Sequence, residues 1–269
     1  MGSSLIIFVI SIVIGVLGSM LGIGGGVFLI PMLTGIVGLP IKTAIGASIV
    51  SVIATSTAAG AVYIGRGITH SRLAMVLEIA TTLGALAGGF TAVLLSENVL
   101  EGIFGVVLLY VAYSMGKGFR GKVNTIQSGF LVTSYADPFS GETITYGVHN
   151  LLAGMSASFV AGNISGLLGI GGGVIKVPVM NLIMGIPLRA AIATSNFMIG
   201  ITAATSAIIY YKHGYIDPIV AVPTALGILI GAQVGSRLGG RIRSESLKKI
   251  FGWVLLIFAL IMFGKSFSL

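Results

Sequence analysis

An offset of 147 residues lays this chain onto itself without a gap. LGIGGGV at 21–27 returns letter for letter at 168–174. Across 21–40 against 168–187, eleven of twenty positions are identical, among them Pro31/Pro178, Gly38/Gly185 and Pro40/Pro187. Farther along, VLEGIFGVVLL (99–109) meets SLKKIFGWVLL (246–256) with seven of eleven identical. Agreement at both ends of residues 5–117 makes this an internal duplication. A repeat this long suits a two-halved membrane transporter and not a short-period solenoid. The halves fall at 1–117 and 151–269, with 118–150 between them.

Composition says what surrounds the halves. The chain is 55% hydrophobic and 8% charged, against about 25% charged in ordinary soluble domains. It cannot cover itself with polar surface in water, so it reads as an all-α polytopic membrane protein of the cell membrane. Each half holds one apolar stretch cut by GIGGG, then three uninterrupted apolar helices. The cut stretches are 5–40 and 152–187. The helices are 43–65, 71–95 and 99–117, then 190–212, 218–240 and 246–264. Each is long enough for a hydrocarbon core of about 30 Å. The first apolar segment lacks a basic flank and a small-residue cleavage site, and it has a counterpart in the second half. It is therefore expected to belong to the mature fold.

The linker 118–150 is the one substantially polar stretch. Alternation in FLVTSY and ETITYGV, around DPFSG, predicts a small extramembrane β-hairpin. The net charge of +8 does not point to nucleic acid, because no basic tract is interleaved with aromatics. Lys and Arg lie between apolar segments instead, where the positive-inside rule places them. Zero cysteines and three scattered histidines leave no ligand set for a metal, and no cofactor is called for.

The basic residues also separate two topologies. If each GIGGG stretch crosses once, Lys and Arg divide evenly between the two faces. If each is a helical hairpin that enters and leaves on one side, the division changes. Arg66, Arg72, Lys117, Arg120, Lys122, Arg189, Arg237, Arg241, Arg243, Lys248 and Lys249 then share one face, and only Lys42, Lys212 and Lys265 lie opposite. That bias is the positive-inside pattern. It predicts two inverted-topology repeats, each a glycine-broken helical hairpin plus three transmembrane helices. Both termini are expected outside, with the basic loops and the 118–150 linker cytoplasmic. Cysteines placed at 98 and 245 should then label from opposite faces.

The glycines lack the Lys-Ser/Thr of a P-loop and the preceding strand of a nucleotide fold. In a bilayer, unwound backbone survives only where protein or a cavity surrounds it. VFLIPM and VIKVPV can begin half-helices whose free N–H groups attract an anion. Gly24, Gly25 and Gly26 with Gly171, Gly172 and Gly173 are therefore expected to line a midplane substrate site. The competing reading is that they only permit close packing at a bend. Lys176, aligned with Leu29, sits where a bound anion would offset the cost of a buried cation; otherwise it snorkels to the interface. Ser48 in the first half, and Thr194, Ser195 and Asn196 in ATSNF, are further candidate ligands. Thr55, Thr202, Asn163, Asn181 and Gln233 extend the list, though each polar side chain alone is as readily a packing hydrogen bond. Glu78 is read as a proton carrier or as a salt-bridge partner of Arg72 or Arg66.

GLLGIGGGVIKVPVMN (166–181), GIPLRAAIATSNF (185–197), GYIDP (214–218) and the doubled LGIGGGV resemble the sulfite exporter TauE/SafE family of membrane permeases, over nearly the whole chain. The resemblance implies transport of small sulfur-containing anions such as sulfite or organosulfonates, usually outward. It carries over the glycine motif as a site. The expected partners are a small anionic substrate, a coupling proton and membrane lipid, with a homodimer left open. Uptake of another anion is the alternative. A divalent cation fits poorly, because the apolar segments hold a single acid, Glu78. An enzyme would need a nucleophile with a base, and no such grouping appears. A non-transporting scaffold subunit would leave the polar residues near both glycine breaks without a purpose.

Overall fold

The computed structural model describes residues 2–117, 131–137, 141–238 and 244–267. The first half forms α1 (Gly2–Leu21), α2 (Gly26–Gly35), α3 (Ile41–Gly65), α4 (Ser71–Leu94) and α5 (Glu97–Lys117). The second forms α6 (Leu151–Leu168), α7 (Gly173–Pro178), α8 (Leu188–Lys212), α9 (Pro218–Leu238) and α10 (Ser244–Phe267). The duplication is thus repeated helix by helix. Among the described residues, seven helices are long and apolar enough to cross a membrane, namely α1, α3, α4, α5, α6, α8 and α9. The stretches after the two glycine breaks are shorter apolar helices.

Local chemistry sets the boundaries. Pro40 and Pro187 stand immediately before α3 and α8 with φ of −55° and −52°. Their fixed φ is already that of a helix start, and a first-turn N–H is not needed. Pro178 lies at the end of α7 and cannot donate to the turn before it. The chain widens there into a π-type turn over Val179–Ile183, with Met184 N–H donating to Val179 O, five residues back.

Burial runs opposite to that of a soluble bundle. Leu94, Leu152 and Ile219 are three-quarters or more exposed, while Ser48, Thr55, Thr81, Thr202 and Thr224 are fully buried. Many of the inner hydroxyls turn back onto their own helix: Thr34 donates to Ile30 O, Thr81 to Leu77 O and Thr224 to Val220 O. That satisfies the hydroxyl without water. The outward apolar belt and the small, self-satisfied interior fit helices packed in lipid, where close approach replaces hydrophobic drive.

The halves interlock. α1 packs along α9 and, by the same rule, α6 packs along α4; α3 meets α8 and α5 meets α10. Glycines form the seams. Gly231 lies against Ile12 and Val16, and Gly235 against Val16 and Ser19. Numbers rise together, so α1 and α9 are parallel. Gly84 lies against Phe159 and Asn163, and Gly88 against Asn163 and Leu167, so α4 and α6 are parallel too. Along α3 and α8 the order reverses, with Gly60 near Asn196 and Phe197 and Gly200 on Ser56. It reverses again along α5 and α10, where Gly105 meets Phe263 and Gly252 meets Ala112. Helices that hold the same place in the two halves therefore run antiparallel where they touch.

Between the halves, β1 (Thr133–Ala136) pairs antiparallel with β2 (Thr143–Tyr146), Thr133 opposite Tyr146. This is the expected ribbon. Residues 118–130 of the linker, the 138–140 part of its turn, and Arg120, Lys122, Arg241 and Arg243 lie outside the described residues.

Candidate functional site

The glycine breaks are tight turns. Gly22, Gly24 and Gly25 have φ of 72°, 83° and 79°, and their counterparts Gly169, Gly171 and Gly172 have 66°, 78° and 69°. Other residues are strained in this left-handed region. The last glycine of each run is needed for a different reason. A Cβ on Gly173 would fall on the Gly22 carbonyl oxygen, and one on Gly26 would lie 2.5 Å from Ser48 Oγ and 2.9 Å from Gly169 O. Each turn therefore presses against the turn of the other half.

Two serines hold that meeting. Ser48 Oγ donates to Gly169 O at 2.7 Å, and Ser195 Oγ donates to Gly22 O at 2.8 Å. All four residues are related by the repeat, so each half clasps the glycine turn of its partner half. Val52 and Ile199, another repeat pair, pack on Gly24 and Gly171. The starts of α2 and α7 consequently face one region between the halves. The glycines thus permit close contact of the two turns, where the first residues of α2 and α7 meet.

The other sequence candidates divide. Asn196 Nδ2 donates to Ser19 O at 3.1 Å and to Ile192 O at 3.0 Å, while its Oδ1, fully buried, accepts no hydrogen bond. Thr194 points away from the turns and accepts the His70 backbone N–H at 3.0 Å. Thr55 donates to Gly24 O at 3.1 Å, pinning the turn of its own half.

Lys176 neither snorkels nor stands alone. It is 2% exposed, and its Nζ donates to Thr202 Oγ1 at 2.9 Å. Thr202 in turn donates to Glu78 Oε1 at 2.7 Å, and Glu78 Oε2 lies 3.8 Å from the ammonium. The salt-bridge partner of Glu78 is thus Lys176 of the other half, where the sequence suggested Arg72 or Arg66. The cost of burying the lysine is met by a carboxylate of the protein itself. Thr202 is the repeat equivalent of Thr55, but its hydrogen goes to Glu78. The two acid–base positions have no counterpart: Leu29 aligns with Lys176 and Ala225 with Glu78.

A second constellation closes one end of the bundle. Tyr146 of β2 is fully buried, with Tyr135 and His70 edge-on to it at centroid distances of 6.1 and 5.8 Å. His70 Nδ1 accepts the Leu73 N–H at the start of α4, and its Nε2 lies 3.2 Å from Leu131 O. Those two roles together require a neutral ring with the proton on Nε2. Burial holds the imidazole below its ordinary range. Asp137 and Arg189 form an ion pair between the ribbon and the second half.

Comparison with known proteins agrees with the architecture. The sequence profile of the sulfite exporter TauE/SafE family matches residues 7–262. A probable membrane transporter protein of Bacillus subtilis is 26% identical over 95% of both chains. Another from Methanocaldococcus jannaschii is 24% identical over 96% of this chain and 94% of its own. One from Haemophilus influenzae is 27% identical over 93% and 94%. No solved structure matches the chain. A duplicated, helical, multi-pass chain that fits that profile from residue 7 to residue 262 belongs to the sulfite exporter TauE/SafE family of membrane transporters.

Proposed function

We propose that this protein is a secondary transporter of small sulfur-containing anions such as sulfite or organosulfonates, working by alternating access about the meeting point of its two glycine turns. The observation that carries the reading is the reciprocal clasp, Ser48 to Gly169 O and Ser195 to Gly22 O. It brings the starts of α2 and α7 together at the boundary between halves. Free N–H groups and the positive ends of two helix dipoles favour a negative ligand there, and broken-helix transporters bind substrate at such a boundary. The substrate-contacting residues in this reading are Gly24, Gly25, Gly26, Gly171, Gly172 and Gly173, with Ser48, Ser195 and Asn196 beside them. Lys176 supplies the positive charge, and Thr194, next to Ser195, supports the site from behind by its bond to the His70 N–H.

The repeats are inverted in this reading, with 1–117 as the first and 151–269 as the second. The antiparallel course of α3 against α8 and of α5 against α10 supports that relation, since repeats related by an axis along the membrane normal would run parallel. In this reading the basic face and the linker are cytoplasmic and both termini outside, which the positive-inside bias of the sequence supports. The protein is a carrier and catalyses no covalent reaction.

Counterflow of radiolabelled sulfite into proteoliposomes holding the purified protein and unlabelled sulfite tests this. The account expects uptake above protein-free vesicles, and its loss in Gly173→Val. Wild-type vesicles that carry neither sulfite nor 2-hydroxyethanesulfonate would overturn it.

A further inference from the structure

The Lys176–Thr202–Glu78 chain does something the paired glycine turns cannot. It joins a buried acid and a buried base, one from each half. Leu29 stands at the first half's equivalent of Lys176, Ala225 at the second half's equivalent of Glu78, and Thr55, the first half's equivalent of Thr202, simply pins Gly24. In the second half the same threonine is drawn to a carboxylate from across the boundary between halves. That carboxylate has one oxygen occupied by Thr202 and one, Oε2, that accepts no hydrogen bond although it is buried.

We infer that Glu78 is the proton site of the transport cycle, and that an anion entering at Lys176 displaces the Glu78 carboxylate, which takes up one proton as it leaves. This rests on the anion reading above. The charges enforce the step. Lys176 and Glu78 together are neutral, and both are almost wholly buried. Adding an anion beside them would leave one net negative charge in a medium that cannot solvate it. A proton from the aqueous phase, bound to Glu78, restores neutrality: ammonium, anion and carboxylic acid. The anion inherits the hydrogen bonds of Lys176 Nζ and Thr202 Oγ1. No covalent bond other than O–H forms, and release of the anion reverses it.

Few other charges bear on this exchange. α7 presents Lys176 alone. α6, which packs along α4, carries no charged side chain among its residues. On α8, Arg189, Tyr210, Tyr211 and Lys212 are each more than two turns from Thr202, and on α4 itself Arg72 lies six residues before Glu78, with His70 at the helix cap. The consequence is electroneutral symport, one proton with each monovalent anion. Net direction follows the combined anion and proton gradients, and the membrane potential drops out.

The test uses the full chain in proteoliposomes with pyranine inside, potassium and valinomycin clamping the potential at zero, and an inward gradient of 2-hydroxyethanesulfonate. That sulfonate stays a monovalent anion across the accessible pH range, so any proton that moves is carried by the protein. Wild type is expected to acidify the lumen, one proton per sulfonate, with a flux unchanged when the clamp is moved to −100 mV. Glu78→Gln is expected to lose the acidification and to gain a potential-dependent flux, and Glu78→Asp to keep the coupling. Sulfonate entry into wild-type vesicles with no acidification overturns the inference and leaves the anion reading standing, as does acidification undiminished in Glu78→Gln. Wild-type vesicles that carry neither this sulfonate nor sulfite overturn the anion reading, and the inference with it. If Glu78→Gln fails to fold, the wild-type stoichiometry still tests the coupled step, and a pH dependence of acidification unchanged in Glu78→Asp would overturn Glu78 as its site.

Discussion

Single atoms on a few side chains hold the two halves in register. Ser48 and Ser195 each satisfy a glycine carbonyl that water cannot reach. Ser48→Ala leaves Gly169 O without that donor and should cost about 1–3 kcal/mol, read as a lower melting temperature of the detergent-solubilised protein. An unchanged melting temperature would mean the clasp is not needed. Lys176→Met strands Glu78, and breaking one side of a buried pair costs about 3–5 kcal/mol. Lys176→Met with Glu78→Gln should therefore be more stable than Lys176→Met alone. The serines and glycines were legible in the sequence because the repeat marks them twice. The Lys176–Glu78 pair was not. Its members lie 98 residues apart and each has an apolar partner in the other copy, so neither spacing nor duplication connects them. Only the packing of α4 and α7 on the same α8 does.

At the scale of an element, the glycine turns are distinguished from other glycines by what surrounds them. Gly173→Ala drives a methyl group into the Gly22 backbone, whereas Gly65, at the end of α3, has open space around it. Gly173→Ala should abolish counterflow and lower the yield of folded protein, while Gly65→Ala stays within about 0.5 kcal/mol of wild type. Equal behaviour of the two would remove the special status of the turns. The ribbon is a second element with its own signature. Tyr146→Ala removes its buried anchor, at about 3–5 kcal/mol by analogy with other aromatic truncations, and should speed proteolysis within 131–146. The ribbon also reports on pH. His70 is held below its ordinary value in the folded state, so the unfolded state binds protons more readily. The stability it lends is complete above about 6.5, the ordinary histidine value, and is lost as pH falls below that. Proteolysis of the ribbon should quicken below pH ~6.5; a flat profile between about pH 8 and pH 5 would exclude His70 as its latch. The alternation in ETITYGV announced the strands, but nothing local announced that Tyr146 would dock beside His70, because that contact belongs to the tertiary structure.

Across the whole molecule, the duplication dictated nearly everything at low detail: ten helices named in the description fall at paired positions in the two copies. What the sequence could not show is the exchange of partners, α1 with α9 and α6 with α4, which ties each half to the other through glycine seams. That arrangement lets each glycine turn reach across and be clasped. It depends on the halves facing opposite ways, and this is the claim on which the site, the anion path and the proton step all stand. Single cysteines at 98, between α4 and α5, and at 245, between α9 and α10, test it on a chain with no native cysteine. The account expects a membrane-impermeant maleimide added to intact cells to label position 98 and to reach 245 only after the membrane is opened. Labelling of both from the same face would contradict it.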